Sequence, residues 1–185
     1  MAAARLPGGA LVSRRALADR NAIDAIWTTL AAIPDPEIPV ISIVELGIVR
    51  DVAFDDDGLV VTVTPTYSGC PATDVIAADI ERALTASGVG SFRVQTRLSP
   101  PWTTDWIAPA ARERLRAYGI APPGERPALQ TIDISSLRRP AAAAIPCPRC
   151  GSLHTRELSR FGSTPCKAQY RCEDCLEPFD YFKPH

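Results

Sequence analysis

Apolar and polar positions alternate along this chain in two different rhythms. From Asn21 to Ile33 the apolar residues Ile23, Ile26, Trp27, Leu30 and Ile33 recur every three or four positions, which places them on one face of a helix. Pro34 and Pro36 stop that helix. The turn-forming DPEIPV leads into VISIVELGIVRDVAF, whose later part is β-branched and strand-like. Asp55-Asp56-Asp57-Gly58 reads as a hairpin turn, and Leu59–Thr66 alternates as a second strand. From Pro71 the helical spacing returns through Val75, Ile76, Ile80, Ala83 and Leu84, with Gly88 as a stop, and Ser91–Leu98 alternates again. The order α-β-β-α-β predicts an α+β fold: a small mixed sheet with both helices packed on one face.

Beyond it lie SPPWTTDWI and a short helix over Pro109–Tyr118 ended by Gly119. Residues 1–20, broken by Arg14 and Arg15, read as a disordered N-terminus, 21–120 as the α/β domain with its WTTDW extension, and 121–146 as a Pro/Ala-rich linker. The last piece, 147–185, is too short to fold on apolar burial alone.

Composition narrows the function classes. The 185 residues carry a formal net charge of −1, which gives no electrostatic reason to expect nucleic acid or an anionic membrane as partner. No apolar run is long enough for a signal peptide or a membrane span, so a cytoplasmic location is expected.

Six cysteines are present, and five of them follow residue 146. CPRC (Cys147, Cys150) and CEDC (Cys172, Cys175) are spaced so that each pair points at one ion and the two pairs close a tetrahedron. This predicts a zinc-ribbon-like module with a structural metal; spacing alone leaves zinc and rubredoxin-type iron both open. Gly151 suits the left-handed turn after the first pair, whereas Leu176 in that place predicts a less regular second knuckle. Cys166 is a surplus thiol with three readings: a replacement ligand, a buried packing residue or a partner contact. His154 and His185 are weaker ligand candidates, with solvated surface the plainer reading of each.

The remaining thiol, Cys70, stands in TPTYSGCPATDVI between a strand and a helix. With Pro71 opening the helix, Cys70 falls at its N-cap, where the partial positive charge of the helix start favours thiolate. Gly69 would allow a sharp turn there. Asp35 and Glu37 add hard ligands, and packing of Cys70 between strand and helix is the plain counter-reading. Trp102 and Trp106 flank two Thr and an Asp, which predicts a surface-related element that contacts a partner or a second chain, with a cap on the sheet as the plain counter-reading.

DPEIPVISIVELGIV followed by TPTYSGCPATDVI resembles the small iron–sulfur assembly domain family, over roughly Ala22–Leu98. SPPWTTDWI, RERLRAYGIAPP and FGSTPCKAQYRCEDCLEPFDYFKPH extend the resemblance to its phenylacetate-degradation branch, the PaaD family. The resemblance implies an accessory or maturation role for a multicomponent phenylacetyl-CoA epoxidase, with no catalytic residues in the chain itself. It marks Cys70 in the T-x-x-x-C-P context, with Asp35 and Glu37, as the reactive or cluster-transfer site. It also implies transient iron or an iron–sulfur cluster, and the epoxidase subunits as partners, above all the reductase or the di-iron component. A single Cys70 cannot hold a cluster alone, so a homodimer is one way to complete it. A structural or electron-transfer subunit, or a general interaction module, is the competing reading. Against an electron carrier or oxygenase, the sequence holds no Glu-x-x-His pair, GxGxxG or ferredoxin spacing.

Overall fold

The computed structural model describes residues 14–124 and 144–185. Helix α1 runs over Arg14–Ala31, so the last part of the segment expected to be disordered is helical backbone; residues 1–13 lie outside the described residues. Its face turns Ile26 and Leu30 into the core, as the spacing requires, and Ile33, two residues past its end, is buried in the same core. Strands β1 (Val49–Asp55) and β2 (Gly58–Val63) form the antiparallel hairpin. Helix α2 (Ala72–Ala86) then crosses over to β3 (Phe92–Thr96), which pairs with β2 in parallel. The sheet order β1-β2-β3 is mixed, and α1 and α2 pack on each other and on its strands.

Strand β2 stops at Val63, earlier than the alternation suggested. Pro65 has no N–H to donate, and the Thr64 N–H turns aside to the Ile48 carbonyl at 2.8 Å. The junction with α2 is therefore a loop from Thr64 to Cys70. Gly69 does not take a left-handed conformation there. Ala72 is the first regular helical residue and Pro71 already has helical dihedrals (φ −67°, ψ −21°), which puts Cys70 one residue outside the expected cap position.

A short 3-10 turn (Thr104–Trp106) and helix α3 (Pro109–Tyr118) follow. Strand β4 (Ile120–Ala121) is only two residues long, below what periodicity can reveal. It pairs in parallel with β7 (Pro178–Phe182), at the edge of a second sheet ordered β4-β7-β6-β5, where β5 is Thr155–Ser159 and β6 is Lys167–Cys172. The expected boundary after residue 120 thus falls inside β4. Of the expected linker 121–146, residues 125–143 lie outside the described residues.

Alternation along β7 explains how the ribbon meets the first domain. Phe179 and Tyr181 point into a small ribbon core with Ala121, Cys147, Ala168 and Cys172. Phe182, on the opposite face, enters the main core. There it meets Trp102 at 6.0 Å between ring centroids. The Thr104 N–H donates to the His185 carbonyl at 3.3 Å, and Cys166 is buried in the same main core.

Candidate functional site

The two CxxC pairs converge. The sulfurs of Cys147, Cys150, Cys172 and Cys175 all lie within 4.8 Å of one another. Cys147 to Cys175 is 3.7 Å and Cys150 to Cys172 is 3.6 Å. A tetrahedral zinc with bonds of about 2.3 Å requires sulfurs about 3.8 Å apart, so the donor set and its spacing fit such an ion. Each knuckle closes in the same way. The Cys147 N–H donates to the Ser152 carbonyl at 2.9 Å, and the Cys172 N–H donates to the Glu177 carbonyl at 3.0 Å. Gly151 has φ +76° and Leu176 has φ +65°, so the second knuckle takes the left-handed turn despite its side chain. That Leu is exposed, which removes any clash beyond its own backbone. The expected irregularity of this knuckle is not found. The backbone N–H of Cys175 approaches the Cys172 sulfur at 3.5 Å, and this donor does most to pull the Cys172 thiol down to about 7.

A second constellation forms where the ribbon meets the first domain. Asp35, Glu37, Ile38, Leu46, Ile48, Thr66, Cys70, Ala72, Cys166 and Phe182 line one small pocket. Three separate stretches of chain supply its chemistry. The DPEI turn gives Asp35 and Glu37. Asp35 is buried, and its Oδ1 accepts the N–H groups of Glu37 at 2.9 Å and of Ile38 at 2.8 Å. Burial raises its carboxyl above the ordinary value, opposed by those two N–H groups, with Glu37 raising it further. Asp35 therefore shapes the turn that aims Glu37.

The loop before α2 gives Cys70, half-buried against the main core. Its N–H donates to the Tyr67 carbonyl at 3.1 Å, and its carbonyl accepts from the Thr73 N–H at 3.2 Å and the Thr73 hydroxyl at 2.9 Å. The ribbon gives Cys166, with its sulfur 3.9 Å from Glu37 Oε2 and 3.0 Å from Thr164 Oγ1. Burial pushes the Cys166 thiol up, and the charges of Glu37 and Cys70 add to it. Burial, then Cys70, Glu37 and Cys166, likewise push the Tyr67 phenol up. Lys167 is the cation that opposes this at Asp35 and Cys166, and its Nζ is also 3.5 Å from Asp180.

Cys70, Asp35 and Glu37, predicted together, are together. Cys166 joins them and stands apart from the four-sulfur group, so it is no replacement ligand there. Its place was hidden from sequence reasoning because the contact spans 129 positions. His154 Nδ1 is exposed and 3.4 Å from Asp174, and the His185 ring lies 6.0 Å from that of Trp102. Trp102 is 3 % exposed, and its Nε1 donates to the Leu46 carbonyl at 3.1 Å, so it is an internal cap on the fold and not a surface contact. Trp106 is half-buried beneath Arg50, whose guanidinium carbon is 3.4 Å from the ring centroid.

Among the described residues no helix is long and apolar enough to cross a membrane. Residues 23–95 match the family described as iron–sulfur cluster assembly protein, and residues 133–183 match the PaaD zinc beta ribbon domain. A protein of Escherichia coli (strain K12), named as one subunit of a "Putative 1,2-phenylacetyl-CoA epoxidase", is 50% identical over 161 residues, covering 87% of this chain and 92% of that one. "Fe-S protein maturation auxiliary factor YitW" of Bacillus subtilis (strain 168) is 38% identical over 89 residues, 47% of this chain and 86% of its own. The crystal structure of a DUF59 domain from Bacillus anthracis superposes with a TM-score of 0.50 at 30% identity, covering 54% of this chain and 96% of that one. With an iron–sulfur cluster assembly domain followed by a PaaD zinc ribbon, and half of the aligned residues identical to a relative along nearly that relative's whole length, the chain belongs to the PaaD family.

Proposed function

We propose that this chain is an accessory factor of a cytoplasmic multicomponent phenylacetyl-CoA epoxidase, and that it assists assembly of an iron or iron–sulfur centre in a partner protein without turning over substrate itself. The observation that carries this reading is the placement of Cys70 beside Glu37 and Asp35 at the start of α2. A thiol and a carboxylate in one pocket offer soft and hard donors to a metal in transit. The match of residues 23–95 to iron–sulfur assembly proteins and the names of the relatives support the client class. The reductase and the di-iron component are the clients this predicts.

Zinc is the metal we assign to Cys147, Cys150, Cys172 and Cys175, in a structural role. Four protein thiolates complete its tetrahedron and leave no open position for catalysis. Cys147 and Cys172 are buried, Cys150 and Cys175 exposed.

The test is the iron–sulfur content of the reductase purified from cells that lack this chain, restored with the wild-type chain or with Cys70→Ser. A depleted cluster rescued by wild type alone is expected. A full reductase cluster and a fully iron-loaded di-iron component, both from cells without the chain, would overturn the maturation role.

A further inference from the structure

The ribbon does more than fold around its own metal. It carries Cys166 across the junction and sets that sulfur 3.9 Å from Glu37 Oε2, in the pocket that Cys70 lines. Two thiols and a carboxylate from three distant stretches of chain line one small pocket, together with the buried Asp35. Cys166 and Glu37 are already adjacent, and the Cys70 sulfur, which lies beyond 4.8 Å of at least one of them, has to rotate inward to complete the set. We propose that Cys70, Cys166 and Glu37 form one metal-binding site across the domain junction, which takes a single thiophilic divalent cation, with ferrous iron as the cargo. This rests on the reading above, that Cys70 presents sulfur to iron, and adds the second sulfur that one cysteine lacks.

Three observations carry it. The donor set is mixed: thiolates select zinc, iron and other borderline-to-soft ions, and carboxylate suits the ferrous state. The pocket holds a cavity of about 10 Å³, close to one water-sized sphere, which suits a lone ion and not a multi-iron cluster. The charge balance favours a cation. Asp35, Glu37 and two ionisable thiols surround the space, and Lys167, the nearby base, has its Nζ 3.5 Å from Asp180. Binding releases the two thiol protons to solvent and leaves two metal–sulfur bonds and one metal–oxygen bond. The site also explains why a ribbon is fused to an assembly domain. Its metal holds β5–β7 in shape, and the turn before β6 then delivers Cys166.

The experiment titrates cobalt(II), under anaerobic conditions, into the full chain already loaded at its four-cysteine site with zinc. Zinc retention is followed by native mass spectrometry. One further cobalt should bind, with thiolate-to-cobalt charge-transfer absorption and two sulfurs in its first shell by X-ray absorption. Cys70→Ser, Cys166→Ser and the packing-conservative Cys166→Ala should each weaken it by at least the 10–100-fold typical of a lost supporting contact to a metal, about the minimum for a lost ligand, while zinc stays bound. No second equivalent in wild type, one sulfur or none in its shell, or unchanged affinity in folded Cys166 variants would overturn the proposal. Because the wild-type shell is read directly, unfolding of a variant does not leave the matter open. Reductase cluster content separates the two readings. If Cys166→Ala supports a full cluster and Cys70→Ser does not, the maturation role stands and this site falls. If cobalt binds as described but neither the reductase cluster nor the iron content of the di-iron component depends on the chain, the site stands and the maturation role falls.

Discussion

Cys166 and Glu37 are 129 positions apart in the chain and 3.9 Å apart in space. Their contact ties the metal ribbon to the DPEI turn, and everything around it is local chemistry. Asp35 caps that turn, Thr164 holds the Cys166 sulfur from the other side, and Phe182 seals the junction from β7. The four-cysteine metal is thus coupled through the ribbon to the half of the chain that holds Cys70.

Removing that metal should therefore be felt beyond the ribbon. A strong chelator is expected to melt β5–β7, because their own core is only a few side chains. Phe182 and His185 would leave Trp102, changing its fluorescence, while α2 and α3 keep their far-ultraviolet helical signal. Cys166, 4 % exposed in the folded chain, should become open to alkylation at a peptide that mass spectrometry can identify. Continued protection of Cys166 after complete metal removal would show that the junction holds without the ribbon metal.

Trp102 should behave as core. Its indole N–H satisfies the buried Leu46 carbonyl at 3.1 Å. Trp102→Ala is expected to cost about 3–5 kcal/mol by cavity formation. Trp102→Phe keeps most of the ring and strands that carbonyl, which costs about 1–3 kcal/mol. Urea denaturation of the two variants checks the order. Wild-type stability in both, with weakened binding to an epoxidase component, would return Trp102 to a partner-contact role.

The mixed sheet, its two helices and the four-sulfur site were legible in the sequence because each rests on short-range rules. Ile26, Leu30 and Ile33 obey helical spacing, and CPRC and CEDC obey metal-ligand spacing. What stayed hidden depends on tertiary contact. β4 is two apolar residues that become a strand only when β7 lies beside them. Leu176 takes a left-handed turn because closing the second knuckle demands it, against its own preference. Cys166 and Trp102 each had more than one reading, since burial and not residue type decides between them.

Gly47 shows a similar demand in the opposite direction, with a residue chosen to fit. At φ +75° a Cβ there would lie 2.7 Å from the Trp106 Cβ and 2.9 Å from its carbonyl oxygen. Gly88 has the same φ of +75° with open space around it. Gly88→Ala is expected to cost only the left-handed backbone preference, about 1–2 kcal/mol. Gly47→Ala should add about 1–3 kcal/mol for displacing Trp106 from beneath Arg50. Comparing the two melting temperatures isolates the contact, and equal drops would mean that Trp106 yields freely.

Stability should also fall in acid through Glu45. Ser42 and Glu45 make a reciprocal cap: the Ser42 N–H donates to Glu45 Oε2 at 3.0 Å, and the Glu45 N–H donates to Ser42 Oγ at 3.2 Å. Glu45 also pairs with Arg114 of α3, joining the turn before β1 to that helix. Burial alone would raise the Glu45 carboxyl, but the Ser42 N–H and Arg114 outweigh it and hold it below its ordinary range. A carboxyl lowered by folding contributes stability that is complete above its unfolded pKa of about 4.3 and is lost as pH falls toward the folded value. Glu45→Gln retains an oxygen for the Ser42 N–H and removes the charge. The wild type is therefore expected to be more stable than Glu45→Gln at pH 7, by no more than about 1 kcal/mol since the pair is partly exposed, and the difference should shrink as pH drops below about 4.3. Urea midpoints from pH 7 downward measure it. A stability gap between wild type and Glu45→Gln that stays constant through that acid range would show that Glu45 titrates alike in folded and unfolded chains.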